Sequence, residues 1–321
     1  MTQPALSIAI ILPCHNEAVA IAGTIASFKS ALPEATIVVC DNASSDDTTA
    51  RALEAGAMVI RQDFRGKGNA VRRLFAEVNA DVYVMADGDS TYDAASATAL
   101  VSKLVENRLD MVIGLREGKA EGQYRLGHAT GNRLYSWLFS KLFKVSVNDL
   151  FSGYRVMSRR FVKTFPCYSR GFEIETELNS HAAIYKLPIA EVPTPYYARP
   201  DGSSSKLNKV RDGLRILTFF AIFLRDYAPM RMFSAAAAFL ALLSIILFVP
   251  VGLEFLQTHT VPRFPTFIGS VALFSLACLS LVGGFAMQSI AAARHQTFMI
   301  GYQAIPSVNP IDLAGPESGA R

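Results

Sequence analysis

The sequence predicts an α/β domain with a mostly parallel sheet, followed by a pair of membrane-spanning helices. Over roughly the first 115 residues, short β-branched runs alternate with helix-like segments, a pattern typical of parallel sheets with helices on both faces. Turn and cap residues separate these segments. The chain of 321 residues is 51% hydrophobic and 18% charged, and between Met232 and Ala293 only Glu254 and Arg263 carry charge.

Each element of the α/β domain is assigned from its local pattern. Short apolar runs rich in β-branched residues predict the strands, and apolar residues at helical spacing after a cap or turn predict the helices. The predicted strands are Ser7–Leu12, Thr36–Cys40, Met58–Arg61, Asp81–Met85 and Met111–Gly114. The predicted helices are Glu17–Ala31, Asp46–Ala55, Asn69–Val78 and Ala94–Asn107.

The composition excludes several classes of protein. The apolar content and the Gly and Pro counts are unlike those of disordered or collagen-like chains, and four scattered cysteines do not make a disulfide scaffold. The cysteines also lack metal-ligand spacing. A net charge of +4 without a clustered basic face predicts no nucleic-acid partner.

Two uncharged runs, Met232–Leu253 and Phe264–Ala293, are each long enough to cross a bilayer. We predict two transmembrane helices, at about 232–254 and 265–293, with a buried core hairpin as the alternative. Basic residues precede the first run and Arg294 follows the second, which predicts that both chain ends are cytoplasmic. Since Met1–Ile11 has no signal-peptide pattern, we expect a multi-pass protein of the inner (cytoplasmic) membrane, with the α/β domain in the cytoplasm and a cytoplasmic tail, 294–321.

Residues 206–231 connect the two parts. Leu207–Tyr227 keeps apolar residues at helical spacing with interspersed arginines, which predicts an amphipathic helix in the membrane interface. The alternative is an ordinary amphipathic helix packed on the first domain. Small residues at Ser234–Ala238 would allow close helix packing in a homo-oligomer.

Polar segments follow successive predicted strands. They are Pro13–Glu17, Asp41–Thr48 and Arg65–Asn69, followed by Asp87 and Asp89 on either side of a glycine. Because the carboxyl ends of parallel strands meet at one edge of a sheet, these segments predict a shared ligand crevice, although some of their residues are also good helix caps. Two neighbouring carboxylates repel each other unless a cation or sugar hydroxyls offset the repulsion, and such oxygen ligands suit Mg²⁺ or Mn²⁺ on a diphosphate.

The order Pro-X-X-Asn-Glu, Asp-X-X-Ser-X-Asp, Gly-Lys-Gly and Asp-X-Asp resembles family 2 glycosyltransferases with the GT-A fold. The segments Asp149–Arg155, Gly171–Leu178 and Arg199–Lys206 extend this resemblance to about residue 230. They are similar to the dolichyl-phosphate mannose and glucose synthases, including bacterial polyprenyl-phosphate glycosyltransferases. The domain expected from this resemblance covers residues 1–205.

The resemblance implies an inverting, metal-dependent transfer of a hexose from a nucleoside-diphosphate sugar to an undecaprenyl-type polyprenyl phosphate. The implied metal ligands are Asp87 and Asp89, with Mg²⁺ or Mn²⁺ as the cofactor. The expected donor-binding residues are Pro13, Glu17, Asp41, Lys67, Asp87, Arg199 and Lys206. The expected acceptor-phosphate residues are Arg116, Arg125, Arg133 and Ser152, and the expected catalytic residues are Asp89, Asp149 and Arg155.

Some alternatives stay open at this stage. Arg125 and Arg133 could equally lie on the solvated face of a helix, and Arg199 and Lys206 could flank an ordinary linker. A hydroxyl acceptor, as in a glycolipid synthase, would require Asp149 to act as a general base. A membrane scaffold that keeps the fold without catalysis is the rival from another class.

Two positions depart from the family pattern. Relatives often have Gln or His where this chain has Thr91, which leaves the third metal ligand to Tyr92, Asp93 or water. Asp41 is followed by Asn42 where Asp-Asp is usual, so one carboxylate is lost from this turn.

Overall fold

The computed structural model describes residues 6–117, 148–171, 173–198 and 229–308. Most predicted elements of the α/β domain form close to their expected bounds. The strands are β1 (Ile8–Cys14), β2 (Thr36–Asp41), β3 (Met58–Arg61), β4 (Val82–Met85), β5 (Met111–Glu117), β6 (Arg155–Ser158) and β7 (Ile189–Pro195). The helices are α1 (Ile21–Ala31), α2 (Thr48–Glu54), α3 (Lys67–Glu77), α4 (Ser96–Glu106), α5 (Arg159–Thr164), α6 (Ile174–Tyr185), α7 (Pro229–Thr258) and α8 (Phe264–Gln303).

The strands form one sheet in the order β3-β2-β1-β4-β6-β5-β7. Strand β6 is antiparallel to both β4 and β5, and the other pairings are parallel. Parallel neighbours place the carboxyl ends of β1, β2, β3 and β4 along one edge of the sheet, where Cys14 pairs with Asp41 and Asp41 pairs with Arg61. The mostly parallel α/β architecture is confirmed.

Helices cover both faces of the sheet. On one face, Ile10 and Leu12 of β1 pack in a cluster with Phe28 of α1 and Leu100 of α4. On the other face, where alternate strand residues point, Tyr83 of β4 packs edge-to-face against Phe75 of α3. Phe75 in turn contacts Phe165, just after α5. The sheet is therefore buried on both sides, as its almost continuously apolar strands require.

The chain divides into two compact units, and among the described residues the first contains the α/β domain together with residues 301–308. Val308 joins the apolar cluster of that domain with 8% exposure. The Tyr302 hydroxyl donates a hydrogen bond to Asp110 Oδ2 at 2.6 Å, and the guanidinium of Arg160 lies over the Tyr302 ring. Residues 301–308, predicted as part of a separate tail, thus belong to the α/β unit.

The second unit contains the rest of the two long apolar helices. Helix α7 has 30 residues and α8 has 40, and both are long and apolar enough to be candidate membrane spans. Their side chains are largely exposed, as with Phe239 at 66% and Leu279 at 64%. Both helices exceed the predicted spans, and α8 continues beyond Arg294. The interfacial helix predicted at 206–231 lies outside the described residues, except for residues 229–231 at the start of α7.

Candidate active site

The four turns after β1, β2, β3 and β4 form a polar edge of the sheet. Each turn includes a residue with a positive φ: Asn16 at 54°, Ala43 at 54°, Gly66 at 130° and Ser90 at 60°. Residues other than glycine rarely adopt this conformation, and such strain collects at functional sites when the surrounding structure holds it in place. The edge is therefore a preorganised set of turns.

Glu17 and Asp41, two expected donor-binding residues, are both buried at this edge, next to buried Pro13 at the end of β1. The carboxylate of Asp41 accepts hydrogen bonds from the Ser44 amide at 3.1 Å and the Thr49 hydroxyl at 2.7 Å. These bonds hold the Asp41 side chain in the turn that links β2 to α2. Pro13 and Asp41 thus lie at the carboxyl ends of the neighbouring strands β1 and β2. The donor-binding roles of Pro13, Glu17 and Asp41 stay a prediction.

Asn42 explains one departure from the family pattern. Its side-chain amide donates hydrogen bonds to the carbonyls of Gln62 and Phe64 at 3.2 and 2.7 Å. Its side-chain oxygen accepts a hydrogen bond from the Gly66 amide at 2.6 Å. A carboxylate has no N–H to donate, so aspartate at this position would leave two carbonyls unpaired. Asn42 links the β2 turn to the loop that precedes α3.

The glycines on either side of Lys67 allow a close approach between two backbones. A Cβ on Gly66 would lie 2.0 Å from the Arg170 carbonyl oxygen, and a Cβ on Gly68 would lie 2.3 Å from that of Ser169. The Gly68 amide also donates to the Gly171 carbonyl. The segment Cys167–Gly171, here named the 167–171 loop, therefore packs directly on the start of α3. The Gly-Lys-Gly sequence serves this packing as well as positioning the lysine.

Lys67 lies at the centre of a buried ion cluster. Its Nζ is 2.5 Å from Asp87 Oδ1 and 2.6 Å from Glu175 Oε1. Burial alone would lower the pKa of Lys67, but the charges of Asp87 and Glu175 raise it above its ordinary value. Lys67 is therefore a fixed positive charge at the sheet edge, beside a carboxylate expected to bind metal.

Asp87 and Asp89 flank Gly88 at the end of β4. A Cβ on Gly88 would lie 2.3 Å from Cys14 Sγ, so this turn passes too close to β1 for any side chain. Asp89 is 2% exposed, and its Oδ1 accepts a hydrogen bond from the Thr91 hydroxyl at 2.6 Å. Thr91 thus orients the aspartate, in the place where relatives carry an additional metal ligand.

The neighbouring candidates for a third metal ligand have other partners. The carboxylate of Asp93 accepts the amide and hydroxyl of Ser96 at 3.0 and 2.6 Å, just before the amino end of α4. The Tyr92 hydroxyl accepts the Gly153 amide at 2.8 Å. Within the described residues, no group of three His, Cys, Asp or Glu side chains could hold a metal ion.

The residues nevertheless suit a divalent cation that also binds substrate. Mg²⁺ and Mn²⁺ favour hard oxygen ligands, and Mg²⁺ on phosphates commonly takes one or two carboxylates and completes its shell with phosphate oxygens and water. Asp87 and Asp89 are two such carboxylates on one turn, and the Asp87 side chain is 28% exposed. The donor set therefore fits a cation shared with a diphosphate.

Asp149 and Arg116 form a bidentate ion pair near the carboxyl end of β5. Arg116 donates from Nε to Asp149 Oδ2 at 2.7 Å and from an Nη to Oδ1 at 2.8 Å. The Phe151 amide also donates to Oδ1, at 3.2 Å. The Arg116 guanidinium lies 5.5 Å from the centre of the Tyr196 ring. One expected catalytic residue is thus joined to one expected acceptor residue.

Arg155 and Ser152 are completely buried, which differs from the direct roles predicted from sequence. Arg155 donates to the Ser152 carbonyl at 3.0 Å and to Asn179 Oδ1 at 2.7 Å. Burial lowers the pKa of Arg155 to about 10, which leaves it charged at neutral pH. The Ser152 hydroxyl donates to the Gly114 carbonyl at 2.6 Å. This geometry favours positioning roles for both, linking β5, β6 and α6.

Four expected site residues lie outside the described part of the chain. They are Arg125 and Arg133, expected at the acceptor phosphate, and Arg199 and Lys206, expected at the donor diphosphate.

The structure adds Glu175 to the site, together with two supporting glutamates. Glu173 accepts the amides of Arg170 and Gly171, and Glu177 accepts those of the two preceding loop residues, at 2.8 to 3.2 Å. Residues four apart lie on one side of a helix, so these two glutamates clamp the 167–171 loop while Glu175 points elsewhere, to Lys67. Glu175 is two positions from each of the other glutamates, which places it about 200° around the helix and gives it a different partner.

Comparison with known proteins identifies the family. A sequence model described as Glycosyl transferase family 2 matches residues 9–165, from β1 through α5. Glycosyltransferase AglJ of Haloferax volcanii is 36% identical over 213 residues, which cover 64% of this chain and 68% of AglJ. The chain belongs to glycosyltransferase family 2. Protein RfbJ of Shigella flexneri is 50% identical to this glycosyltransferase over 123 residues, covering 38% of this chain and 95% of RfbJ.

A third relative of this glycosyltransferase is the dolichyl-phosphate hexose transferase of Haloferax volcanii. It is 30% identical over 210 residues, covering 65% of this chain and 90% of the relative. Among solved structures, glucosyl-3-phosphoglycerate synthase from Mycobacterium tuberculosis in complex with Mn²⁺, UDP and phosphoglyceric acid superimposes with a TM-score of 0.58. The match covers 68% of this chain and 78% of the synthase at 22% identity, and it supports the GT-A fold.

Proposed function

We propose that this glycosyltransferase transfers a hexose from a nucleoside-diphosphate sugar to a polyprenyl phosphate of the undecaprenyl type. The transfer inverts the anomeric carbon and uses Mg²⁺ or Mn²⁺. Support for the acceptor comes from the relative named dolichyl-phosphate hexose transferase and from the two apolar helices suited to a membrane. The observation that carries the proposal is the bidentate pairing of Asp149 with Arg116.

This ion pair bears directly on the kind of acceptor. Both carboxylate oxygens of Asp149 accept hydrogen bonds from the Arg116 guanidinium. To take a proton from a hydroxyl acceptor, Asp149 would have to give up one of these two charge-assisted hydrogen bonds. A hydroxyl acceptor needs a general base, whereas a phosphate monoester with a second pKa near 6 is already largely dianionic at neutral pH. The pair therefore favours a phosphate acceptor.

The expected reaction is an in-line displacement. An acceptor phosphate oxygen attacks the anomeric carbon, a new carbon–oxygen bond forms, and the bond to the nucleoside diphosphate breaks on the opposite face. Asp87 and Asp89 would hold a divalent cation, which when bound would supply positive charge for the leaving diphosphate. Asp149 orients Arg116, whose planar guanidinium suits the acceptor phosphate, and Lys67 contributes positive charge on the donor side.

The proposed location follows from the same reasoning. We place α7 and α8 across the inner membrane with the α/β domain in the cytoplasm. Arg231 lies near the amino end of α7 and Arg294 lies in the carboxyl-terminal part of α8, and positively charged residues flanking membrane spans favour the cytoplasmic side. Alkaline phosphatase, which is active outside the cytoplasm, should be active when fused after Thr260 and inactive when fused after Arg321. The reverse pattern would contradict this topology. A homo-oligomer stays a prediction.

The decisive experiment compares two acceptors that differ by one group. Purified protein in detergent is incubated with a panel of nucleotide sugars, Mn²⁺ or Mg²⁺, and either undecaprenyl phosphate or undecaprenol. We expect a glycosyl-phosphoryl-lipid from the phosphate acceptor, detected by mass spectrometry and abolished by EDTA or by Asp89→Asn. Asp47→Asn is the matched control, since Asp47 is exposed and its side chain makes no helix-cap hydrogen bond.

The remaining outcomes separate the alternatives. Transfer to undecaprenol would support the hydroxyl acceptor, and the absence of metal-dependent donor binding would support the scaffold. Asp149→Asn gives a second test, because asparagine keeps one acceptor for Arg116. A positioning role predicts a rate loss below about 100-fold, the lower range for removal of a general base. A larger loss with the phosphate acceptor would refute the role assigned to Asp149.

A further inference from the structure

Lys67 is bound by two carboxylates that differ in their exposure. The Asp87 side chain is 28% exposed, whereas the Glu175 side chain is 5% exposed and the Lys67 side chain is 9% exposed. Asp87 is thus the member of the cluster that can reach a substrate at the sheet edge. Glu175 is the member enclosed by protein.

The cluster is tightly packed on the side that faces Gly153. A Cβ on Gly153 would lie 3.0 Å from both Asp87 Oδ2 and Lys67 Nζ, and 3.3 Å from the Tyr92 hydroxyl. The Gly153 backbone therefore covers the cluster closely, and the Tyr92 hydroxyl bonds to its amide. Such a covered lysine depends on its carboxylate partners, since burial removes most of its hydration.

Glu175 is itself held in place by Arg155 of β6. Arg155 donates from one Nη to the Glu175 carbonyl at 3.3 Å and from the other to Asn179 Oδ1, one turn further along α6. These bonds hold the first turn of α6, and with it the Glu175 side chain, against the sheet. The completely buried arginine thereby gains a role in the site that its sequence position did not reveal.

The Asp87 carboxylate has two competing binding partners. In this structure it pairs with Lys67, and under the proposed function it also binds the donor and its metal. If Asp87 turned to the donor and no second carboxylate were present, Lys67 would be left buried without a counter-ion, which is strongly unfavourable. Glu175 removes this cost because it stays paired with Lys67 in either state.

We propose that Glu175 is a positioning residue, a resident counter-ion that keeps Lys67 paired and in place while Asp87 exchanges between Lys67 and the nucleotide-sugar donor. This inference rests on the proposed donor site and deepens it. It makes a prediction opposite in sign to simple charge repulsion. If charge repulsion alone mattered, removal of the Glu175 charge would strengthen binding of the anionic donor. We expect its removal to weaken donor binding instead.

The test measures nucleotide binding rather than turnover alone. UDP and GDP are titrated into the full-length protein by calorimetry, with Mn²⁺ and separately with EDTA. For Glu175→Gln we expect Kd with Mn²⁺ to rise at least tenfold, because Lys67 then holds Asp87 more firmly. Glu175→Asp keeps the charge and should stay within about threefold of wild type. Glu106→Gln, an exposed charge removal on α4, should leave Kd unchanged.

Kinetics with the donor give an independent check, since KM should rise more than kcat falls in Glu175→Gln. Unchanged or tighter nucleotide binding in this variant would overturn the inference. So would equal weakening in Glu175→Asp, which would mean that the charge is not what matters. If Glu175→Gln does not fold, the Glu175→Asp result alone decides, with more than tenfold weakening counting against the inference. Wild-type protein that binds neither nucleotide would instead refute the proposed function, and this inference with it.

Discussion

Replacement of Asn42 by aspartate tests the geometry of the donor edge with almost no change in volume. The asparagine amide donates to the Gln62 and Phe64 carbonyls at 3.2 and 2.7 Å, and its side-chain oxygen accepts the Gly66 amide. Aspartate keeps the accepted bond and loses both donated bonds. It also directs a negative charge at two carbonyl oxygens in a place where the side chain is 4% exposed.

The magnitude follows from these contacts. Each lost hydrogen bond is worth about 1 kcal/mol, and repulsion between the new carboxylate and the two part-buried carbonyl oxygens adds about 1 kcal/mol. We therefore expect Asn42→Asp to lower the free energy of unfolding by about 3 kcal/mol. Acid should lessen this loss, because a protonated carboxyl recovers one donor. The loop before α3 should loosen as well, so the Kd for a nucleoside diphosphate should rise.

Chemical unfolding in detergent, followed by circular dichroism, measures the first effect at pH 7 and pH 5. Calorimetry measures the second. The control is Asp47→Asn, an exposed substitution of the same size, for which we expect a change within about 0.5 kcal/mol. If Asn42→Asp matches the wild type in both stability and nucleotide binding, the bonds assigned to Asn42 do not organise this edge.

Three further predictions concern other parts of the α/β unit. Burial lowers the pKa of His181 to about 3, so below about pH 6.5 the folded state binds fewer protons than the unfolded state. The free energy of unfolding should therefore fall as the pH drops from about 6.5 toward 3. Unfolding titrations should show a weaker acid dependence in His181→Phe, and an equal acid dependence would contradict the assignment. Tyr302→Phe removes the hydrogen bond to completely buried Asp110 and should lower the free energy of unfolding by about 1 kcal/mol. An unchanged free energy of unfolding would argue against the packing of residues 301–308 on the α/β domain. Gly68→Ala places a Cβ 2.3 Å from the Ser169 carbonyl oxygen and should lower the free energy of unfolding by about 1–3 kcal/mol. The 167–171 loop should then become sensitive to limited proteolysis. A loop as resistant as in wild type would show that the close approach is not needed.

Local sequence patterns were sufficient for the first half of the fold. Strands β1 to β5 are apolar runs bounded by turn residues, and a parallel arrangement places their carboxyl ends together. From the sequence alone, that rule places Asp41, Lys67, Asp87 and Asp89 at one edge. Strands β6 and β7 did not stand out, because Arg155–Ser158 carries a buried arginine and a serine, and Ile189–Pro195 contains two prolines.

The sequence by itself determined the family, the order of the motifs and two apolar helices long enough to span a membrane. Only the tertiary structure decided which side chains are partners: Glu175 with Lys67, Asp149 with Arg116, and Arg155 with the base of α6. The physical reason is the range of the interactions. Periodicity and turn chemistry act between residues a few positions apart, whereas an ion pair between residues 67 and 175 depends on how strands and helices distant in sequence pack together.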